Sequence, residues 1–182
     1  HRKQRGKRSI PFMTPIHYRP EEINEKKEFG HWESDTTVCE NKGEALSVQY
    51  ERSIQLARLT KTPNKGAEAT EEALRNLIES KLVKSLTFDR GTEGANHYKL
   101  RLDYGIDTYH CDPYSSWQKG GVENLNGLIR QYLPRGINLS QISHHQIYVI
   151  QEKLNNRPRK GLGYRSPNQC LQELRELGVV HW

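Results

Sequence analysis

The sequence is poor in cysteine, and its three cysteines, Cys39, Cys111 and Cys170, are far apart with no CxxC or Cys/His spacing. That argues against a disulfide framework and a zinc site, and favours a reducing, cytoplasmic setting. No apolar run approaches the roughly 20 residues of a membrane-spanning helix, so no membrane partner is expected. The first residues lack the apolar core of a signal peptide, and the chain begins at His1 without an initiator Met, which reads as a piece of a longer protein. Internal repeats and low-complexity tracts are also missing.

What is present suits one globular domain with extensions: 182 residues, 34% hydrophobic and 27% charged. The formal charge of +6, from 28 Lys and Arg against 22 Asp and Glu, makes a polyanionic partner plausible. Arg2, Lys3, Arg5, Lys7 and Arg8 are followed by Pro11, Pro15 and Pro20, so residues 1–28 read as a basic arm or linker and 29–182 as the domain. The arm suits either a segment lying along DNA or mere solubilising charge, and its residues alone do not decide.

Period-two patterning predicts a strand over His31 to Cys39, with Glu33, Asp35 and Thr37 on one face and Trp32, Ser34, Thr36 and Val38 on the other. Strands at Ala45 to Tyr50 and Ile54 to Thr60 would complete an antiparallel meander. A helix is expected from about Lys65 to Ser80, then a strand from Lys84 to Phe88, a short helix through Tyr98 to Leu102 and a strand from Ile106 to His110. Gly120 to Tyr132 reads as a helix with Val122, Leu125, Ile129 and Tyr132 inward, followed by one from Ser143 to Asn155. Ser166-Pro167-Asn168-Gln169 starts a closing helix. The order βββαβαβαα describes an α/β domain with a mixed five-stranded sheet flanked by helices.

Three acids stand out: Asp35 within the first strand, Asp89 just past the fourth and Glu123 in the first turn of the helix after the fifth. Any one of 22 acids is by itself far more often a surface group than a ligand. Three carboxylates that converge, however, offer the hard oxygen donors magnesium requires, and a pair of ions suits displacement at phosphorus. Glu123 shares a helical face with Asn126, Gly127 and Arg130, a set that suits a metal, a base or sugar, close backbone approach and a phosphate.

Phe29-Gly30-His31-Trp32-Glu33-Ser34-Asp35-Thr36 and Phe88-Asp89-Arg90-Gly91-Thr92-Glu93 are two blocks of a longer pattern. It continues in Cys111 to Gly120 with Glu123-Asn124, Asn126-Gly127 and Arg130-Gln131-Tyr132, and in Leu154 to Lys160 with Tyr164-Arg165-Ser166-Pro167. The pattern, including the 33 residues between Asp89 and Glu123, resembles the DDE transposases of the insertion-sequence-thirty family, within the retroviral-integrase-like superfamily. Gly94 and Leu125 depart from it, standing where an aromatic and a small polar residue are usual.

The resemblance implies a ribonuclease-H-like fold, with which the element order is compatible. It also implies a catalytic triad of Asp35, Asp89 and Glu123 holding two Mg²⁺ or Mn²⁺ ions, with Asp35 bridging. The reactions implied are cleavage of transposon ends and strand transfer, through a circular intermediate. DNA would be the partner, in a dimer or larger assembly, with no small-molecule substrate and with end recognition by a preceding helix-turn-helix region. Such an enzyme would act in the bacterial cytoplasm, at the nucleoid.

Lys119, Asn126, Arg130, Arg135, Arg157, Arg159 and Lys160 are the expected DNA contacts. Glu33 is expected to support Asp35 through a hydrogen bond or ion pair, and His97 to lie near the metal site. Trp117 could stack on a base, but an aromatic in such a loop is expected to anchor it. Two rival functions remain on sequence: a catalytically silent DNA-binding descendant of a transposase, and a ribonuclease-H-like nuclease.

Overall fold

The computed structural model describes residues 12–38, 43–91 and 96–180. The run from His1 to Arg8, Cys39 and the segment around Gly94 lie outside them.

Five strands, β1 (His31–Val38), β2 (Ala45–Glu51), β3 (Ala57–Thr62), β4 (Ser85–Phe88) and β5 (Asp107–His110), form one mixed sheet in the order β3-β2-β1-β4-β5. The first three are an antiparallel meander, and β4 and β5 join parallel to β1 through the crossover helices α2 (Ala67–Glu79) and α3 (His97–Tyr104). Helices α4 (Gly120–Ile129), α5 (His144–Asn155) and α6 (Pro167–Glu176) follow, with a preceding α1 of four residues at Glu21–Asn24.

Strand alternation separates two cores. Trp32, Leu86 and Phe88 face α2 and α6 together with Leu74, Leu77, Cys170 and Leu171. Leu46, Val48, Ala57 and Leu59 face α4 and α5 through Val122, Leu125, Ile129, Ile147 and Leu154. Leu125, unusual for the family pattern, is a fully buried member of this second core.

Edge strand β3 is covered by α5, whose side-chain amides replace a sixth strand. Asn155 accepts from the Ala57 amide at 2.8 Å and donates to its carbonyl at 2.9 Å, while Gln151 accepts from Leu59 at 2.9 Å. Ser143 and Ser166 begin α5 and α6 with reciprocal capping boxes to Gln146 and Gln169.

Two expectations need correcting. Strand β3 begins at Ala57 and not Ile54, because the buried Glu51 carboxylate takes the amides of Ser53 and Ile54, each at 2.8 Å, and closes a wide turn. The arm expected over 1–28 is folded onto the domain from residue 12: Ile16 and Ile23 are buried, Pro15 bridges to His110, and Arg52 donates to the Ile23 carbonyl at 2.7 Å. Its prolines prevent regular strands without preventing packing.

Candidate active site

The parallel register of β1 and β4 places the first two acids. Glu33 pairs with Thr87, and two residues further along each strand, on the same face, stand Asp35 and Asp89. Glu123 comes from α4, which packs on that face through Val122 and Leu125.

Glu33 is what locks α4 there. Its carboxylate, only 2% exposed, accepts from the Val122 amide in the first turn of α4 at 2.9 Å and from Arg52 Nε at 3.1 Å. A carboxylate at a helix start satisfies an amide that has no partner within the helix and faces the positive end of its dipole. Close approach also needs Gly121, since a Cβ there would lie 2.2 Å from Tyr50 Cε1 and 2.9 Å from Glu33 Oε2.

Asp35, Asp89 and Glu123 line one cleft of about 320 Å³ together with Arg90, Gly91, Cys111, Asp112 and Lys119. A second, wider groove of about 500 Å³ shares Asp35 and Glu123 and continues past Thr37, Asn126, Gly127, Arg130 and Arg135. Gly127 leaves open space on that groove; the close backbone approach expected of it is made by Gly121.

Asp35 is held from two sides. Asn126 Nδ2 donates to Oδ2 at 2.7 Å, with the Asn126 carbonyl accepting from Thr37 at 3.3 Å, and Lys119 Nζ lies 3.3 Å from Oδ1. Asp89 Oδ1 accepts from the Gly91 amide at 2.7 Å, while Oδ2 lies 3.8 Å from the same lysine. As placed, no three His, Cys, Asp or Glu side chains among the described residues are close enough to share one ion. A cation nevertheless already sits between two of the acids, as the Lys119 ammonium, and all three carboxylates open on one cleft. The donor set is hard oxygen, which fits magnesium or manganese. Cys111 adds no soft ligand: burial pushes its thiol up to about 11, so it is protonated near neutral pH.

Other sequence expectations divide. Arg130 and Arg135 line the wider groove, as does Asn126, whose amide is nevertheless engaged with Asp35 and Thr37. Arg157, Arg159 and Lys160 line neither cleft. Arg159 donates to the Leu154 carbonyl at 3.1 Å and is partly desolvated, which lowers its pKa. Lys119 is buried against the acids instead of lying open to a phosphate backbone. His97, the first residue of α3, also lies outside both clefts, buried against Thr108 and His110. Trp117, expected to anchor its loop, is 72% exposed, and Tyr114 beside the acids is 97% exposed. The expectation missed Tyr114, Arg90 and Thr37; for Arg90 the signal was adjacency to Asp89, and for Thr37 the shared strand face with Asp35.

Two solved structures similar in fold come from viral integrase systems. The catalytic core domain of BIV integrase superposes with a TM-score of 0.62, covering 84% of this chain and 99% of that one at 21% identity. A chain of the simian T-cell lymphotropic virus intasome in complex with PP2A regulatory subunit B56 gamma gives 0.63, covering 77% and 53% at 17% identity. The fold is thus that of an integrase catalytic core, ribonuclease-H-like with a mixed five-stranded sheet.

Sequence relatives narrow the class. The transposase for insertion sequence element IS1086 of Cupriavidus metallidurans is 40% identical over 168 residues, 91% of this chain and 50% of the relative. Transposase InsI for IS30A of Escherichia coli is 37% identical over 172 residues, 93% of this chain and 45% of the relative. The transposase for IS4351 of Bacteroides fragilis is 38% identical over 176 residues, 94% of this chain and 53% of the relative. No family model matches. Over the region it shares with them the chain is similar to transposases of the insertion-sequence-thirty family, and it spans about half the length of those relatives.

Proposed function

We propose that this chain is the catalytic core of a DNA transposase, which cleaves transposon ends and transfers the freed strand to a second phosphodiester. The observation that carries the reading is that Asp35, Asp89 and Glu123, from three separate elements, line one cleft. Those three carboxylates would hold two Mg²⁺ or Mn²⁺ ions. When bound, such ions polarise the phosphoryl group and stabilise the entering and leaving oxygens of an in-line displacement.

The protein's own residues do the positioning. Asn126 fixes one oxygen of Asp35 and the Gly91 amide one oxygen of Asp89, while the other oxygen of each faces the Lys119 ammonium. Arg130 and Arg135 line the groove leading away from the acids and would bind the phosphate backbone. In the first step water attacks the phosphorus at the transposon end and the 3′-oxygen leaves with a proton. In the second that 3′-hydroxyl attacks a target phosphorus and displaces the target's own 3′-oxygen. Both are the same displacement with exchanged nucleophiles, so one site serves both. Joining two ends calls for a dimer or larger assembly on DNA.

Strand transfer with a pre-cut transposon end and Mg²⁺ or Mn²⁺ tests this reading. Product is expected with the unaltered protein, falling by about a thousandfold or more in Asp89→Asn, since metal-borne charge stabilisation amounts to several kcal/mol. Unchanged activity in Asp89→Asn contradicts the site. Binding of DNA without chemistry would mark a silent descendant, and cleavage of RNA–DNA hybrids in its place a nuclease.

A further inference from the structure

Lys119 is the residue immediately before α4, four positions ahead of Glu123, and only 3% of it is exposed. Its ammonium is surrounded by oxygens of the proposed metal site: the Ser34 carbonyl at 3.1 Å, Asp35 Oδ1 at 3.3 Å and Asp89 Oδ2 at 3.8 Å. A lysine gives up its hydration this completely only where paired charge and hydrogen bonds replace it. Here the replacing groups are two of the three acids.

We propose that Lys119 is a resident counter-cation, holding Asp35 and Asp89 ready while no metal is bound and being displaced into the cleft when divalent ions enter. The inference rests on the reading of these acids as the metal site and adds a defined role for this lysine. An ammonium and a divalent cation cannot occupy neighbouring points between the same two carboxylates without strong repulsion. One must leave, and the side chain is built to do so.

Lysine carries a compact charge on a flexible four-carbon stem, without the rigid fork that fixes arginine on a carboxylate. Lys119 itself lines the cleft with all three acids, so rotation of its stem carries the ammonium into open space. Each carboxylate keeps a second anchor once the ammonium has left, because Asn126 retains Asp35 at 2.7 Å and the Gly91 amide retains Asp89 at 2.7 Å. After exchange the ammonium stands in the cleft where a scissile phosphate would lie, which turns one buried lysine into a phosphate contact only once metal is in place. Lys119 acts through the acids in the first position, so it is a positioning residue there.

Acylation by an amine-reactive reagent, read lysine by lysine by mass spectrometry, tests the exchange without measuring activity. Saturating Mn²⁺ is expected to raise modification of Lys119 by about tenfold or more, as a protected group becomes accessible. Lys61, paired with Glu44 at 3.0 Å outside both clefts, should keep its rate, and Asp89→Asn should abolish the rise at Lys119. In parallel, free-ion Mn²⁺ resonance should show binding about tenfold tighter in Lys119→Met, a factor equal to 1.4 kcal/mol of removed competition. If Mn²⁺ binds the unaltered protein while Lys119 stays protected, the counter-cation is overturned and the metal site stands. If neither the unaltered protein nor Lys119→Met binds Mn²⁺ at the cleft, both readings fall. The acylation arm uses the unaltered protein and so survives a variant that does not fold.

Discussion

His110, the last residue of β5, is fully buried, stacked on Phe88 at 5.8 Å between centroids and edge-on to His97 at 4.4 Å. Neither ring nitrogen has a hydrogen-bond partner among the described residues. Burial first, and the neighbouring His97 second, push its pKa down from 6.5 to about 3. The folded-state value lies below the unfolded one, so between those values the unfolded chain binds more protons. Stability present above pH 6.5 is therefore lost as pH falls through the window toward 3. This ring should cost up to about 2 kcal/mol between pH 7 and pH 5. Urea midpoints at the two pH values should differ less in His110→Phe than in the unaltered protein; equal differences would contradict the assignment. At this scale the placement of Asp35 was legible, because a strand's two-residue period put it on a face with Glu33 and Thr37. The burial of Lys119 and His97 was not, since it depends on partners 84 residues away for Lys119 to Asp35 and 11 for His97 to Thr108. A local pattern carries no information about such partners.

Helix α4 depends on one close contact. Gly121→Ala would set a Cβ against the Tyr50 ring at 2.2 Å, and overpacking of this kind costs about 1–3 kcal/mol. Urea denaturation should show that loss, and the double variant Gly121→Ala with Tyr50→Ala should recover most of it relative to Tyr50→Ala alone. An equal loss in both backgrounds would contradict the contact. The helix and its inward Val122, Leu125 and Ile129 were legible, but Tyr132, expected in the same stripe, lies past the helix end and is exposed, and which glycine permits close packing was not legible. Periodicity gives the face of Gly121 and Gly127 but not the distance to the neighbouring strand. The start of β3 was hidden for a related reason: Ile54 has strand character, but the Glu51 carboxylate captures its amide.

In the whole molecule, the meander and two parallel additions put β1 at the centre of the sheet, with a core on each side. Central placement lets one strand present Trp32 to one core and Glu33 and Asp35 to the other side, where α4 brings Glu123. The architecture was legible because strands and helices alternate after the meander. The packing of residues 12–28 on the domain was not, because Ile16 and Ile23 are isolated apolar residues in a proline-broken segment. The central claim, that the three acids of this cleft hold two divalent ions, is met most directly by anomalous diffraction from crystals equilibrated with Mn²⁺. Two peaks about 3.5–4 Å apart among Asp35, Asp89 and Glu123 are the expected result. Crystals of protein active in strand transfer that bind Mn²⁺ only elsewhere would contradict it.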